Sequence, residues 1–459
     1  MFFGRERELA TLKEKLLNNR FEAILIYGRR RVGKSKLINE ALKGIDALIV
    51  NYECKKSLIQ DNISGLNDAL NETFGVKTSF NDFKSCVDYI LSMSKNNKIV
   101  LVIDEFPFLL NEKPSISSDL RDLIFEYENN SNVKIILSGS YVDTMKHLNE
   151  GDSETFGRFT GIIDLKPFDY YDSSKFYSSY SNEDKILMYS VFGGVAFFNS
   201  LIDERISPYD NIKKLLLEPN SILQLEIENT IETETKKIQF LNSAFSFIAE
   251  GVSKYSDIKS NLAYKYGGDV NPDYLLKKLI DMDLVEISVP INAQNDKRKR
   301  RYQIKDNLIL FYYKYIFKNK NKNEKMNVDD FYDYFVKDNL FDRYVPNRFE
   351  SISKEFLIRR NKAKKIKPPF FDVGRYSFDD AKNGVNREFD IVTEDVNGYI
   401  SYECKYSNSP IDFSIIHEEE KQTKDLNIKF YNLGFISKKG LKNKNDKYIY
   451  YTLDDFYNF

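Results

Sequence analysis

The chain has 459 residues, 68 Lys and Arg against 69 Asp and Glu, a net charge of −1 and 42% hydrophobic residues. That length asks for roughly three domains. The apolar content excludes a disordered chain, and the balanced charge confines any nucleic-acid contact to local basic clusters.

Three scattered cysteines (Cys54, Cys86, Cys404) offer neither zinc-type spacing nor a disulfide framework, as in a reducing compartment. Two histidines, His147 and His417, make Ser-His-Asp catalysis a poor prospect. Carboxylate, lysine and phosphate chemistry remain. No apolar run approaches membrane-spanning length and the N-terminus lacks a secretory core, so the expected setting is cytoplasmic, without membrane contact.

In chain order, residues 5–18 have the apolar stripe of an amphipathic helix (Leu9, Leu12, Leu16, Leu17). Glu22–Tyr27 reads as a buried strand, and 36–42 has helical apolar spacing. Between them, Gly28-Arg29-Arg30-Arg31-Val32-Gly33-Lys34-Ser35 fits G-x-x-x-x-G-K-[ST] at every fixed position. Backbone N–H groups from Gly28 to Lys36 are expected to cradle a polyphosphate at the following helix N-terminus. Lys34 is expected to reach the β/γ-phosphates of ATP and Ser35 to ligate Mg²⁺.

Strands are expected at 47–52, 98–103, 133–137 and 162–165, with helices near 58–73 and 80–95. Continuous apolar strands separated by helices imply a parallel sheet covered on both faces, binding ligands at its C-terminal edge. There Asp104 is expected to hold Mg²⁺ through water and Glu105 to polarise the attacking water. Ser138, at the end of the 133–137 strand, is read either as a γ-phosphate sensor or as part of a loop turn. Arg158 is read either as neutralising transition-state charge, in cis or towards a neighbouring subunit of a homo-oligomer, or as a surface ion pair.

Phe3-Gly4-Arg5-Glu6, the phosphate loop, Val102-Ile103-Asp104-Glu105-Phe106, Leu137-Ser138-Gly139-Ser140 and Gly157-Arg158 before Leu165-Lys166-Pro167-Phe168 resemble the archaeal-type P-loop ATPases, near the AAA+ and STAND groups. The resemblance implies a five-stranded ASCE core over 1–167 and a helical lid over 168–235. It departs at Phe156, where a tyrosine is expected before Gly-Arg, and this leaves the role of Arg158 open.

From 236 to 317 the pattern is helix (238–250), helix (255–263), Pro-started helix (271–280) and a hairpin of 284–289 with 301–304, the order of a winged helix-turn-helix. Lys277, Lys278 and the basic run Asp296-Lys297-Arg298-Lys299-Arg300-Arg301 are read as phosphate contacts or as a solvated charge run. Residues 318–327, polar and without an apolar face, read as a linker or exposed helix end.

The last segment, 328–459, carries a second chemical pattern. Strands at 387–393 and 399–405 flank Asn397-Gly398, a two-residue hairpin signal. A turn of those two residues sets Val396 against Tyr399 and Asp390 against Lys405. Period-two alternation then puts Asp390, Glu403 and Lys405 on one face and Cys404 on the other. This triad resembles D…E-x-K of the PD-(D/E)xK nucleases, whose fold is the restriction-endonuclease-like α/β domain. The resemblance makes Asp390 and Glu403 ligands of Mg²⁺ or Mn²⁺, with Glu350, on a helix near 341–360, completing the shell and Lys405 acting on the scissile phosphate. Arg359, Arg360, Lys362, Lys364, Lys365 and Lys367 form a local basic patch for a DNA backbone. A solvent-facing salt-bridge ladder is the alternative.

The fold class expected is therefore α/β multidomain, and the chain an ATP-binding, ATP-hydrolysing protein coupled to a DNA-binding, DNA-cleaving module. A STAND-type switch whose last domain only binds DNA or a partner is the second reading.

Overall fold

The structure is a computed structural model describing residues 2–95, 97–235, 238–380, 385–425, 429–442 and 447–458. It divides into two compact units, Met1–Pro167 with Val195–Phe197, and Phe168–Gly194 with Phe198–Phe459. The expected boundary at 235/236 meets residues outside the described ones. Among the described residues no helix is long and apolar enough to cross a membrane.

The first unit is built on five parallel strands, β1 (Glu22–Tyr27), β2 (Leu48–Glu53), β3 (Ile99–Asp104), β4 (Lys134–Gly139) and β5 (Gly161–Asp164), in the order β2-β3-β4-β1-β5. Insertion of β4 between β1 and β3 sets the phosphate loop and Asp104 at the same edge, with one strand between them. Alternate residues of β1 feed opposite cores. Ala23, Leu25 and Tyr27 pack with helices Ile59–Phe74, Phe83–Ser92 and Ile116–Tyr127. Ile24 and Ile26 pack with Glu6–Leu17 and Lys34–Leu42. Burial on both sides explains why β1, β3 and β4 carry continuous apolar runs (23–26, 99–103 and 135–137) rather than alternating ones.

In the second unit, helices Leu241–Ala249, Tyr255–Tyr266 and Asp273–Asp281 precede β6 (Val285–Ser288) and β7 (Arg301–Ile304), which pair antiparallel, in the element order read from the sequence. Residues 318–327 are not an exposed linker. Lys320–Asn323 is helical, and Asn319 and Asn323 are buried. Their amides donate to the Tyr315 carbonyl (2.9 Å) and the Leu217 carbonyl (2.7 Å), so a run without an apolar face finds its interior partners through hydrogen bonds.

A second sheet has the order β12-β11-β10-β9-β8, from β8 (Asp372–Asp380), β9 (Val385–Asp395), β10 (Gly398–Lys405), β11 (Phe430–Ser437) and β12 (Ile449–Thr452). β8, β9 and β10 are antiparallel neighbours, and β10, β11 and β12 run parallel. The helix Val345–Lys362 contacts this sheet and carries Pro346 in its first turn, where backbone N–H groups have no partner within the helix. It buries Phe349 and Phe356 completely, worth roughly 1.5–3 kcal/mol each. Both rings stack on Phe456, at 5.5 and 4.2 Å.

The β9–β10 register corrects the sequence reading. Asp395 pairs with Gly398 and Glu394 with Tyr399, so the turn is Val396-Asn397. The Asn397 N–H donates to Asp395 Oδ1 (2.7 Å), an Asx-type turn. Gly398 is a strand residue at φ 132°, and a Cβ there would lie 2.5 Å from the Lys429 carbonyl oxygen. The glycine serves close approach to a neighbouring segment and not the turn. The register moves by two residues, so continuing it sets Asp390 towards Glu403 rather than Lys405. An even shift leaves every side chain on its expected face.

Candidate functional site

The C-terminal edge of the first sheet gathers the phosphate-loop residues. Gly33 sits at φ 105°, a conformation that side chains disfavour, and opens the helix Lys34–Leu42. Lys34 is buried, and its Nζ donates to the carbonyls of Gly28 (3.0 Å) and Arg29 (3.3 Å) inside the loop. Ser35 Oγ donates to Asp104 Oδ2 at 2.5 Å, across from the end of β3. Ser138 Oγ donates to the other carboxylate oxygen of Asp104, as does the Glu105 N–H at 2.9 Å. Ser138 is thereby turned onto the acid.

Glu105 has a left-handed backbone (φ 50°), a strained conformation held by its surroundings. Its Oε2 accepts from Ser140 Oγ (2.7 Å) and the Ser140 N–H (3.2 Å). Two residues gain importance only here. Arg5 is buried and donates through Nη2 to the Lys166 carbonyl (2.7 Å) and the Val32 carbonyl (3.4 Å), joining the loop to the residues after β5. The Arg31 guanidinium lies 4.1 Å over the Phe197 ring, and the Phe197 N–H donates to the Arg31 carbonyl (3.3 Å). Arg29 is buried, whereas Arg30 and Lys36 are exposed.

Arg158 does not join this group. It precedes β5, whose first residue pairs with Ile24 of a parallel β1, so it lies beyond the sheet edge opposite the phosphate loop. Its Nη1 meets Glu128 Oε1 at 3.4 Å. The in-cis role is corrected by strand direction.

The second cluster lies in the second unit. Lys405 Nζ pairs with Glu403 Oε1 at 2.5 Å. Burial works to lower the Lys405 ammonium, but the bond to Glu403 and the charges of Glu403, Asp390 and Glu419 together outweigh it and the group is raised. Burial pushes Glu350 up to about 7; Asp390 and Glu403 add to this, and Arg348 and Lys405 oppose it. Asp390 is raised by burial and by Glu403. A fourth acid, Glu419 of the helix Phe413–Asp425, is likewise pushed up to about 7 by burial and by Glu403. Its sequence signal was its place on the stripe of buried Ile416 and Thr423.

These hard oxygen donors suit Mg²⁺ by type, and the upward shifts of Glu350, Asp390 and Glu419 mark a cost of ionisation that a cation relieves. Among the described residues, however, only His147, Glu150 and Asp152, all exposed, bring ligand atoms within 4.8 Å of one another. Glu350, Asp390 and Glu403 are spread more widely, with Lys405 already neutralising Glu403.

Glu350 and Asp390 line a cleft of about 620 Å³ bounded by β6 and β7, the helix Val345–Lys362, β8 and β9. Its hairpin wall is fixed. Arg375 donates through Nε to Ser288 Oγ (3.0 Å) and through Nη1 to Glu388 Oε2 (2.5 Å), while Arg301 meets Glu388 Oε1 at 3.2 Å. Asn292 and Ser377 exchange bonds of 2.7 and 3.1 Å. Arg301 of the basic run is thus occupied, as is Arg298 with Asp296 (3.2 Å). In the 359–367 patch, Arg359 is bound to Asp169 (2.6 Å) and Asp172 (3.0 Å).

Residues 2–197 match a family model described as an ATPase domain predominantly from Archaea. Residues 312–425 match one described as archaea bacterial proteins of unknown function. An uncharacterized protein of Methanocaldococcus jannaschii is 29% identical over 377 residues, covering 82% of this chain and 82% of its own length. An uncharacterized ATP-binding protein of the same organism is 46% identical over 43 residues, 9% of this chain and 73% of that protein. Among solved structures, the Walker-type ATPase of Pyrococcus abyssi superposes with a TM-score of 0.50 at 18% identity, covering 68% of this chain and 96% of that one, a likeness of fold. The chain therefore carries an archaeal-type ATPase domain over residues 2–197, followed over 312–425 by a region of a type whose function is unknown.

Proposed function

We propose that the protein hydrolyses ATP and uses the nucleotide cycle to control a DNA-acting C-terminal module. The observation that carries the first half is the meeting of Ser35, Asp104 and Ser138, with Glu105 held by Ser140, beside the phosphate loop. Lys34 leaves the Gly28 and Arg29 carbonyls for the β/γ-phosphates, and the loop amides hold the remaining phosphate oxygens. Ser35 and Asp104 are the residues that would hold Mg²⁺, which would neutralise charge on the triphosphate. Glu105, kept in place by Ser140, takes the proton of the attacking water. Arg158 acts in this reaction only on a neighbouring copy, since its own loop is at the other sheet edge. Phosphate release by the wild type, its loss in Glu105→Gln and the loss of nucleotide binding in Lys34→Ala test this half.

For the second half, Asp390, Glu403 and Lys405 share a sheet face, with Glu350 coupled to them from the adjoining helix. Asp390, Glu403 and Glu350 are the residues to hold a divalent cation, which supplies an activated water and charge neutralisation at a phosphodiester. Lys405 places positive charge beside the scissile phosphate. Metal-dependent DNA cleavage lost in Asp390→Ala and Lys405→Ala, with ATP hydrolysis retained, is the expected result. One observation favours a second reading, a switch whose last domain only binds: Lys405 is spent on Glu403 and the acids are spread apart. Wild type inert with Mg²⁺ and Mn²⁺ on several DNA forms, with and without ATP, supports that reading.

A further inference from the structure

The segment Phe168–Gly194 leaves the ATPase unit at Pro167 and returns to it at Val195. Its two ends are tied to each other, since the Phe168 N–H donates to the Gly194 carbonyl (2.8 Å). The residues it returns into, Val195–Phe197, belong to the ATPase unit, where Phe197 is bonded to Arg31 of the phosphate loop. The covalent chain at Gly194–Val195 is therefore the path by which a shift of the loop would reach this segment.

The segment grips one face of the helix Val345–Lys362. Glu355 Oε2 accepts from the Tyr170 N–H (3.2 Å), near the start of the segment, and from Tyr189 Oη (3.0 Å), near its end. One carboxylate thus links both arms. Arg359, one turn on, adds Asp169 and Asp172. Tyr344 Oη, one residue before the helix, donates to the Ser190 carbonyl (3.1 Å). Five residues before Glu355, about 7.5 Å along the same rigid helix, stands Glu350 of the acid–lysine cluster. Burial pushes Glu355 up to about 8, so the acid is retained at a cost that an apolar residue avoids.

We infer that Glu355 is a positioning residue: it fastens the helix bearing Glu350 to the segment that the phosphate loop moves, and so sets the acid–lysine cluster by nucleotide state. This rests on the reading of that cluster as a DNA-cleaving centre. The side chain touches no reacting atom in this scheme.

The full-length protein and the variants Tyr189→Phe, Glu355→Ala and Glu355→Gln are compared by three measurements: ATP hydrolysis, the ratio of metal-dependent DNA cleavage with ATP to that with ADP, and nucleotide-dependent amide hydrogen exchange in peptides of 345–362. The expected result is a ratio different from one in wild type that collapses to one in Tyr189→Phe and Glu355→Ala. Glu355→Gln, which keeps an acceptor for both donors, restores it, and ATP hydrolysis stays within about twofold throughout. Hydrogen exchange of the helix then responds to ATP against ADP in wild type and Glu355→Gln only. If wild type cleaves no DNA, the DNA-cleaving reading falls, and the exchange experiment still decides the linkage. Exchange in 345–362 that ignores nucleotide in wild type, or that responds equally in Tyr189→Phe, overturns the inference. Should Glu355→Ala fail to fold, Tyr189→Phe alone carries the comparison.

Discussion

Replacing Glu355 by glutamine isolates the cost of ionising a buried acid. Its carboxyl is pushed up to about 8 by burial first and by Asp169 second; the bonds from Tyr189 and Tyr170 and the charge of Arg348 act the other way. In an unfolded chain a glutamate titrates near about 4.3. The folded value is the higher one, so the stabilising contribution is complete below the unfolded value and drains away as pH rises towards the folded one. Each pH unit between them removes about 1.4 kcal/mol, or roughly 3.5 kcal/mol by pH 7. Water reaching the side chain from the cleft it helps to line trims this to about 2–3 kcal/mol. Glutamine keeps an oxygen for Tyr170 and Tyr189 and never ionises. Urea unfolding followed by circular dichroism, at intervals from about pH 5 to about pH 8, therefore shows Glu355→Gln gaining on wild type as pH rises, with the gap levelling above about 8. The chain has no tryptophan, which rules out the usual fluorescence probe. A gap that is constant across this range refutes the assignment of a neutral Glu355.

Further outcomes follow from the same geometry. Ser140→Ala frees Glu105 from its 2.7 Å partner and lowers kcat for ATP about tenfold, about 1.4 kcal/mol, with little change in KM, as steady-state kinetics will read. Phe356→Ala removes a fully buried ring stacked on Phe456 and destabilises the second unit by roughly 3–5 kcal/mol in denaturant titrations. Charge reversal at Lys297, Lys299 and Arg300 weakens DNA binding and flattens its log–log salt slope by roughly 2–3; an unchanged slope removes the basic hairpin from the DNA interface. Arg301 is left alone in that test, because it is bound to Glu388.

The phosphate loop, the parallel strands and the acid at the end of β3 were legible because each is local: a spacing, an apolar run, a strand end. Strand parity was legible for the same reason, and it survived a wrong turn assignment since the error was two residues. What stayed hidden depended on distant partners. Gly398 looks like a turn glycine until Lys429 is seen against it. The asparagines at 319 and 323 look solvated until the Tyr315 and Leu217 carbonyls appear beside them. Arg158 left a catalytic role and a surface ion pair both open, and only the direction of β5, which carries it to the other edge beside Glu128, separates them within one chain. Glu355 carried no motif, and Glu419 only a place on a helical stripe; their meaning comes from the groups folded around them.

The stacking of Phe456 on both Phe349 and Phe356, with its carbonyl taking the Tyr170 hydroxyl at 3.0 Å, has a consequence for biosynthesis. The helix bearing Glu350 emerges from the ribosome about a hundred residues before the ring that completes its packing. The ATPase domain can mature during translation, whereas the acid–lysine cluster must wait for the last stretch of chain. A nascent chain thus completes its nucleotide-handling unit before the packing of the second unit closes.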